Sequence, residues 1–138
     1  MTGLPRFLAS ALLGPLLALV LLLGSAGVLW SAPVQWRELP ASDAGQQWWD
    51  AGSLRRDSNG RLSVLSRFLP AAKADQTRPP LADLYVMQLD CDQGLYRDTS
   101  VNGLPRWQAE WRFASEEPLT AAVLAAACEA AAALQPLS

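Results

Sequence analysis

Leu54-Arg55-Arg56-Asp57-Ser58-Asn59-Gly60-Arg61-Leu62-Ser63-Val64-Leu65-Ser66-Arg67-Phe68 is the stretch whose reading decides the fold. Asn59-Gly60 is a strong hairpin signal because both residues tolerate positive φ. Beyond it, Leu62, Val64 and Phe68 share one face of a period-two pattern, which is a half-buried strand. The device recurs at Asn102-Gly103, between Tyr96 to Val101 and Trp107 to Phe113. In the second of these, Trp107, Ala109, Trp111 and Phe113 alternate with Gln108, Glu110 and Arg112, again predicting a half-buried strand. Tyr85, Met87, Leu89 and Cys91 share one face of another. The spacing predicts about five or six short strands in sequential antiparallel pairs. Residues 71–80, AAKADQTRPP, lack periodicity and read as an exposed loop.

The C-terminal stretch differs in kind. Ser115 is placed to cap a helix whose first turn holds Glu116, Glu117 and Pro118, residues suited to the positive end of the helix dipole. The run from Leu119 to Leu134 is mostly Ala, stops before Pro136, and predicts a helix that packs closely on the sheet. Interrupted by Glu129, it is short for a membrane span. The fold class is therefore α+β: an antiparallel sheet with one C-terminal helix packed on it, over residues 33–138.

Ahead of this domain, residues 7–30 read FLASALLGPLLALVLLLGSAGVLW without a charge. As a helix they extend about 36 Å, enough for a hydrocarbon core of about 30 Å. Arg6 and the amino terminus keep the short tail cytoplasmic and place everything after Trp30 outside. The preferred reading of residues 1–32 is a retained transmembrane signal-anchor with Trp30 and Trp36 at the interface. A signal peptide cleaved after Gly24-Ser25-Ala26 is the alternative. Both export the C-terminal part, to a periplasm or a thylakoid lumen.

Composition narrows the chemistry. Arg6 is the only charged residue before Arg37, so the exported part carries ten basic against thirteen acidic residues, a balance that does not attract nucleic acid. The chain has no His, which removes the commonest general base and the commonest metal ligand together. Cys91 and Cys128 are the only cysteines, too few for a structural zinc site without His. In an oxidising compartment they are expected to form a disulfide clamping helix to sheet, with two unpaired core thiols as the alternative. Asp90, Asp92 and Gly94 fall short of a calcium loop, since Val101 stands at the twelfth position. No cofactor or metal is expected.

The exported part resembles the surface-adhesin protein E family. The pattern lies in Trp36, Asp50 and Ser53, the pair Arg55-Arg56, the strand from Leu62 to Phe68, Asp90-Cys91 with Arg97, Trp111, and Cys128. The resemblance implies an antiparallel sheet with one packed helix joined to it by a disulfide, in an envelope protein that binds partners and catalyses nothing. Family members are usually secreted or lipid-anchored, whereas no lipidation Cys occurs near residue 26 here. The chain is also similar to single-span proteins of photosynthetic bacteria.

Two function classes follow. The first is a non-catalytic, membrane-tethered binding or accessory module with an unidentified envelope or lumenal protein partner and no nucleic acid. Trp48, Trp49, Arg55 and Arg56 are its candidate contact residues, because exposed Trp beside Arg is the composition of an interface hot spot. Adjacent Trp residues on a strand point to opposite faces, so one of the pair can be exposed. The second class is a small periplasmic or lumenal enzyme working with carboxylates alone, which requires those groups to converge in a cleft.

Overall fold

Asp57 shapes the hairpin that opens the sheet. Its Oδ1 accepts the backbone N–H groups of Asn59 and Arg61, both at 2.9 Å, which is the local side-chain turn that favours Asp at such a position. Of the two turn residues only Gly60 takes positive φ, at 81°, whereas both Asn102 (51°) and Gly103 (80°) do so in the later hairpin. The same dipeptide thus closes two different turns, because Asp57 supplies hydrogen bonds that the second turn replaces with backbone twist.

The structure is a computed structural model and describes residues 32–134. The strands are β1 (Trp36–Glu38), β2 (Gly45–Arg56), β3 (Leu62–Pro70), β4 (Asp83–Asp90), β5 (Leu95–Val101), β6 (Leu104–Pro105) and β7 (Arg112–Phe113). They form one antiparallel sheet in sequential order from β1 to β6, with β7 pairing β5 beside β6. The sheet therefore has six strand positions, and helix α1 (Pro118–Ala133) packs on it. The proposed N-terminal span lies outside the described residues. Among those residues, no helix is long and apolar enough to cross a membrane.

Alternation sorts the two faces. Leu62, Val64, Met87, Leu89, Trp49 and Tyr96 are buried beneath the helix. Leu119, Val123, Ala127 and Ala131 recur every four residues on α1 and are buried against them. The small Ala side chains let the helix lie close to the sheet at close-packed density.

Three sequence expectations are corrected. Residues 107–113 are not a continuous strand, and Trp107 is 90 % exposed. Six residues, 106–111, span the distance that Arg97, Asp98 and Thr99 cover on β5 between its pairings with Pro105 and Arg112. The cause is an irregularity in β5: its register against β4 shifts between Val86 and Met87, leaving Thr99 without a partner there. A bulged strand bends, so β6 and β7 pair with separate halves of β5 and the chain between them loops out.

Ser115 does not cap α1. It lies in a 3₁₀ turn, Ala114–Glu116, and the N-cap is Glu117, which is extended (φ −131°, ψ 115°). Pro118 forces this, because the residue before a proline is driven out of the helical region. Nor does Cys91 continue the inward row of Met87 and Leu89: β4 ends at Asp90, and Cys91 is exposed in the turn that Gly94, at φ 68°, closes. It still reaches Cys128, with the two Cα atoms 5.9 Å apart in a disulfide.

Candidate functional site

Trp48 and Trp49 occupy opposite faces of β2. Trp49 is 4 % exposed and belongs to the core, where the Arg37 guanidinium lies 5.9 Å from its ring centroid. Trp48 projects from the face that α1 leaves uncovered. Its neighbour across β3 is Arg67, and the guanidinium stacks 4.3 Å from the Trp48 centroid and 5.7 Å from that of Trp36, which is 39 % exposed. Stacking of this kind holds a cation on the negative π-face while leaving its N–H edge free. No carboxylate lies within ion-pair distance of Arg67 among the described residues, and its Nε is buried without an acceptor.

A second stack lies farther along the same face. Arg61 and Arg97 sit 4.9 and 4.6 Å from the Trp111 centroid. Arg97 Nε donates to Gln88 Oε1 at 2.7 Å, and Gln88 Nε2 donates to Asp57 Oδ2 at 3.1 Å. Arg61 also approaches Asp90 at 4.0 Å, a loose and partly exposed pair that contributes little to stability.

Arg55 and Arg56 do not join Trp48. Trp48 pairs with Arg67, whereas they pair with Ser63 and Leu62, four and five residues farther along β3 and so about 13 to 17 Å away at strand spacing, and both are exposed. Between them and the Trp pair the register of β2 against β3 breaks after Asp50. Residues of the adhesin-like pattern build this irregularity. Asp50 Oδ1 accepts the backbone N–H groups of Gln35 (2.6 Å) and Gly52 (2.9 Å). Ser53 Oγ donates to the Asp50 carbonyl at 2.7 Å and accepts from Leu65 N–H at 2.8 Å. Arg55 Nη1 donates to the carbonyls of Gly52 and Leu54, and Arg56 Nη1 to that of Gly60. Their hydrogen bonds tie down backbone at this end of the sheet.

Trp36, Arg67 and Trp111 complete the uncovered face and were missed as contact candidates. One signal was available: Arg61, just ahead of β3, and Ser63, Leu65 and Arg67 within it alternate with the buried Leu62, Val64 and Ser66, so Ser63, Leu65 and Arg67 share the outer face of the strand and Arg61 continues their period. Which Trp each Arg meets depends on register, which one strand does not carry.

On the helix side, a cavity of 590 Å³ opens at the start of α1. Phe68, Met87 and Leu119 give it apolar wall, Tyr85 and Tyr96 give it aromatic faces, and Asp98 lies among them. Burial pushes the Asp98 carboxyl above its ordinary value, opposed by Arg106. Arg112 at the mouth reaches Glu116 at 3.7 Å and Glu117 at 3.5 Å, and its guanidinium lies 5.7 Å from the Tyr96 centroid. Among the described residues, no group of three or more His, Cys, Asp or Glu is placed to hold a metal ion.

No curated protein and no solved structure matches the chain. The profile of the surface adhesin-E family matches residues 37–134, the span that holds β2 through α1, the Asp50–Ser53 irregularity and both cysteines of the disulfide, and the chain belongs to that family.

Proposed function

We propose that this is a non-catalytic binding module of the cell envelope, tethered through its N-terminal segment. Its folded domain stands in the periplasm or a thylakoid lumen, and it takes a carboxylate-bearing protein partner on the helix-free face of the sheet. Family membership and the disulfide support the extracytoplasmic location. The observation that carries the contact is Arg67, half-buried between Trp36 and Trp48 with no carboxylate to pair with. A charge held in this way is costly when unpaired and favourable when a partner supplies the counter-ion, while the flanking rings exclude water from the contact. The carboxylate enzyme is the weaker reading: Arg112 engages both Glu116 and Glu117, and Asp43, the other carboxylate that lines the cleft with Asp98, is exposed to solvent, so no two carboxylates are set in contrasting environments as an acid and base pair.

The test is recovery of the partner by the tagged full chain extracted from membranes. Trp48→Ala and Arg67→Gln should each weaken recovery by about 2 kcal/mol or more, the size expected of a hot spot. The domain's own stability should fall by only about 1 kcal/mol through the lost stack. Trp49→Ala is the control, since removing a core Trp should cost about 3 to 5 kcal/mol of stability. Recovery that survives both outer-face changes in folded protein would sink the proposal.

A further inference from the structure

The cavity at the start of α1 carries a second site, separate from the face assigned above. At 590 Å³ it is of the size that small molecules occupy in proteins. Its walls combine the π-faces of Tyr85, Tyr96 and Phe68 with an excess of negative charge, four carboxylates (Asp43, Asp98, Glu116 and Glu117) against the single guanidinium of Arg112. The positive end of the α1 dipole also meets this cavity and would favour an anion. Glu116 and Glu117, at that helix end, already answer it, and Arg112 in turn answers them.

What remains are Asp43, which is exposed, and Asp98, which is not: the Asp98 carboxylate makes no side-chain hydrogen bond or ion pair among the described residues, with Arg106 near enough to act on it only through its charge. Gln47, only 5 % exposed, lines the same cavity from β2 and donates Nε2 to Ser66 Oγ at 2.7 Å. Arg112 shows what these walls hold: a cation over the Tyr96 ring, flanked by carboxylates.

We propose that this cavity binds a small organic cation, a quaternary ammonium or protonated alkylamine group, with its charge against Asp98 and its carbon surface on the rings of Tyr85 and Phe68. A quaternary ammonium or alkylammonium fits such a setting because the ring quadrupoles and one carboxylate attract it over its whole surface. The neighbouring carboxylates agree with this in their effect on the phenols: burial first, and then the charges of Asp83 and Asp98, push the Tyr85 hydroxyl above its ordinary value.

The experiment titrates the full chain, held in an uncharged detergent, with choline and separately with 3,3-dimethylbutan-1-ol, which has the same shape without the charge. Amide shifts of Tyr85, Tyr96 and Asp98 report the site. Choline should bind saturably, and the neutral alcohol about tenfold more weakly or worse. Asp98→Asn should weaken choline by a similar factor, and Trp48→Ala should leave it unchanged, which separates this site from the outer face. A third titration with acetyl-Gly-Lys-Gly-amide distinguishes sources: tighter binding than choline assigns the cation to a protein side chain, looser binding to a free small molecule. Equal binding of choline and the alcohol by the native chain overturns the proposal, as does the absence of any saturable shift. So does choline affinity unchanged in folded Asp98→Asn.

Discussion

Cutting the Cys91–Cys128 bond should be the single most damaging covalent change to this domain. The two residues are 37 apart in sequence, so the bond closes a loop of about 38 residues in the unfolded chain. In the chain-entropy treatment that loop confers about 4 kcal/mol, for a domain whose whole stability is of order 5 to 15 kcal/mol. The native state adds little strain against this, because the Cα atoms stand 5.9 Å apart, within the ordinary range for a disulfide. For a domain of about 100 residues, 4 kcal/mol corresponds to a fall in Tm of roughly 15 to 20 °C. Cys128→Ser should therefore lower the calorimetric Tm by that amount, reduction of the parent chain should do the same, and the two effects should not add. The bond also fixes where α1 sits, since Cys128 adjoins the buried Ala127. Hydrogen exchange should thus speed first in α1 and the turn at residues 91–94, with β2 and β3 protected longest. A variant losing less than about 1 kcal/mol, or two reactive thiols in the unfolded unreduced chain, would refute the reasoning.

Two further outcomes follow from single sites. Asp98 has its carboxyl raised by burial, against Arg106 and Arg112 and with Glu117, so between its unfolded and folded values the native state holds more protons. Stability should fall as pH rises through that window and stay reduced above it. Asp98→Asn should accordingly be the more stable protein at pH 7 in urea melts, with the gap closing below about pH 4; a less stable variant at pH 7 would contradict this. Gly52 has no room for a side chain, because an added Cβ would stand 2.0 Å from the Pro33 carbonyl oxygen. Gly52→Ala should push the segment before β1 off the sheet, cost about 1 to 3 kcal/mol, and free the amides of Gln35 and Ala51 to exchange, whereas unchanged protection there would disprove the clash.

Where the sequence could be read, the cause was local. Asn59-Gly60 and Asn102-Gly103 mark hairpins because the turn chemistry is contained in a few neighbouring residues. Leu62 and Val64, or Met87 and Leu89, mark the buried face because period two is a property of a strand alone. The Ala-rich helix was legible for the same reason, while its start was not: Pro118 acts on Glu117 more strongly than Ser115 attracts the helix end. The stretch from Trp107 to Phe113 alternates as well as any strand here, yet only its last two residues pair. The deciding event is a bulge at Thr99 on the neighbouring strand, which no pattern within residues 107–113 reports.

The candidate contact residues divide along the same line. The Trp48-Trp49 dipeptide dictates by itself that one ring faces the core and the other faces away, since adjacent strand residues cannot share a face. Closeness in sequence suggested Arg55 and Arg56 as companions, but β2 carries them to its far end, where they bind backbone. The guanidinium that does stack on Trp48 comes from Arg67, nineteen positions away, because the antiparallel register sets those two residues side by side. The cavity is further removed still, as Asp98, Tyr85, Gln47 and the start of α1 come from four separate segments. Composition and local periodicity determined the α+β class, the hairpins and the buried faces of the strands, since each follows from residues within a turn or strand of one another. Pairings between faces, the site at each Trp and the cleft were decided by the tertiary structure, because register and helix placement are set by contacts between residues far apart in the chain.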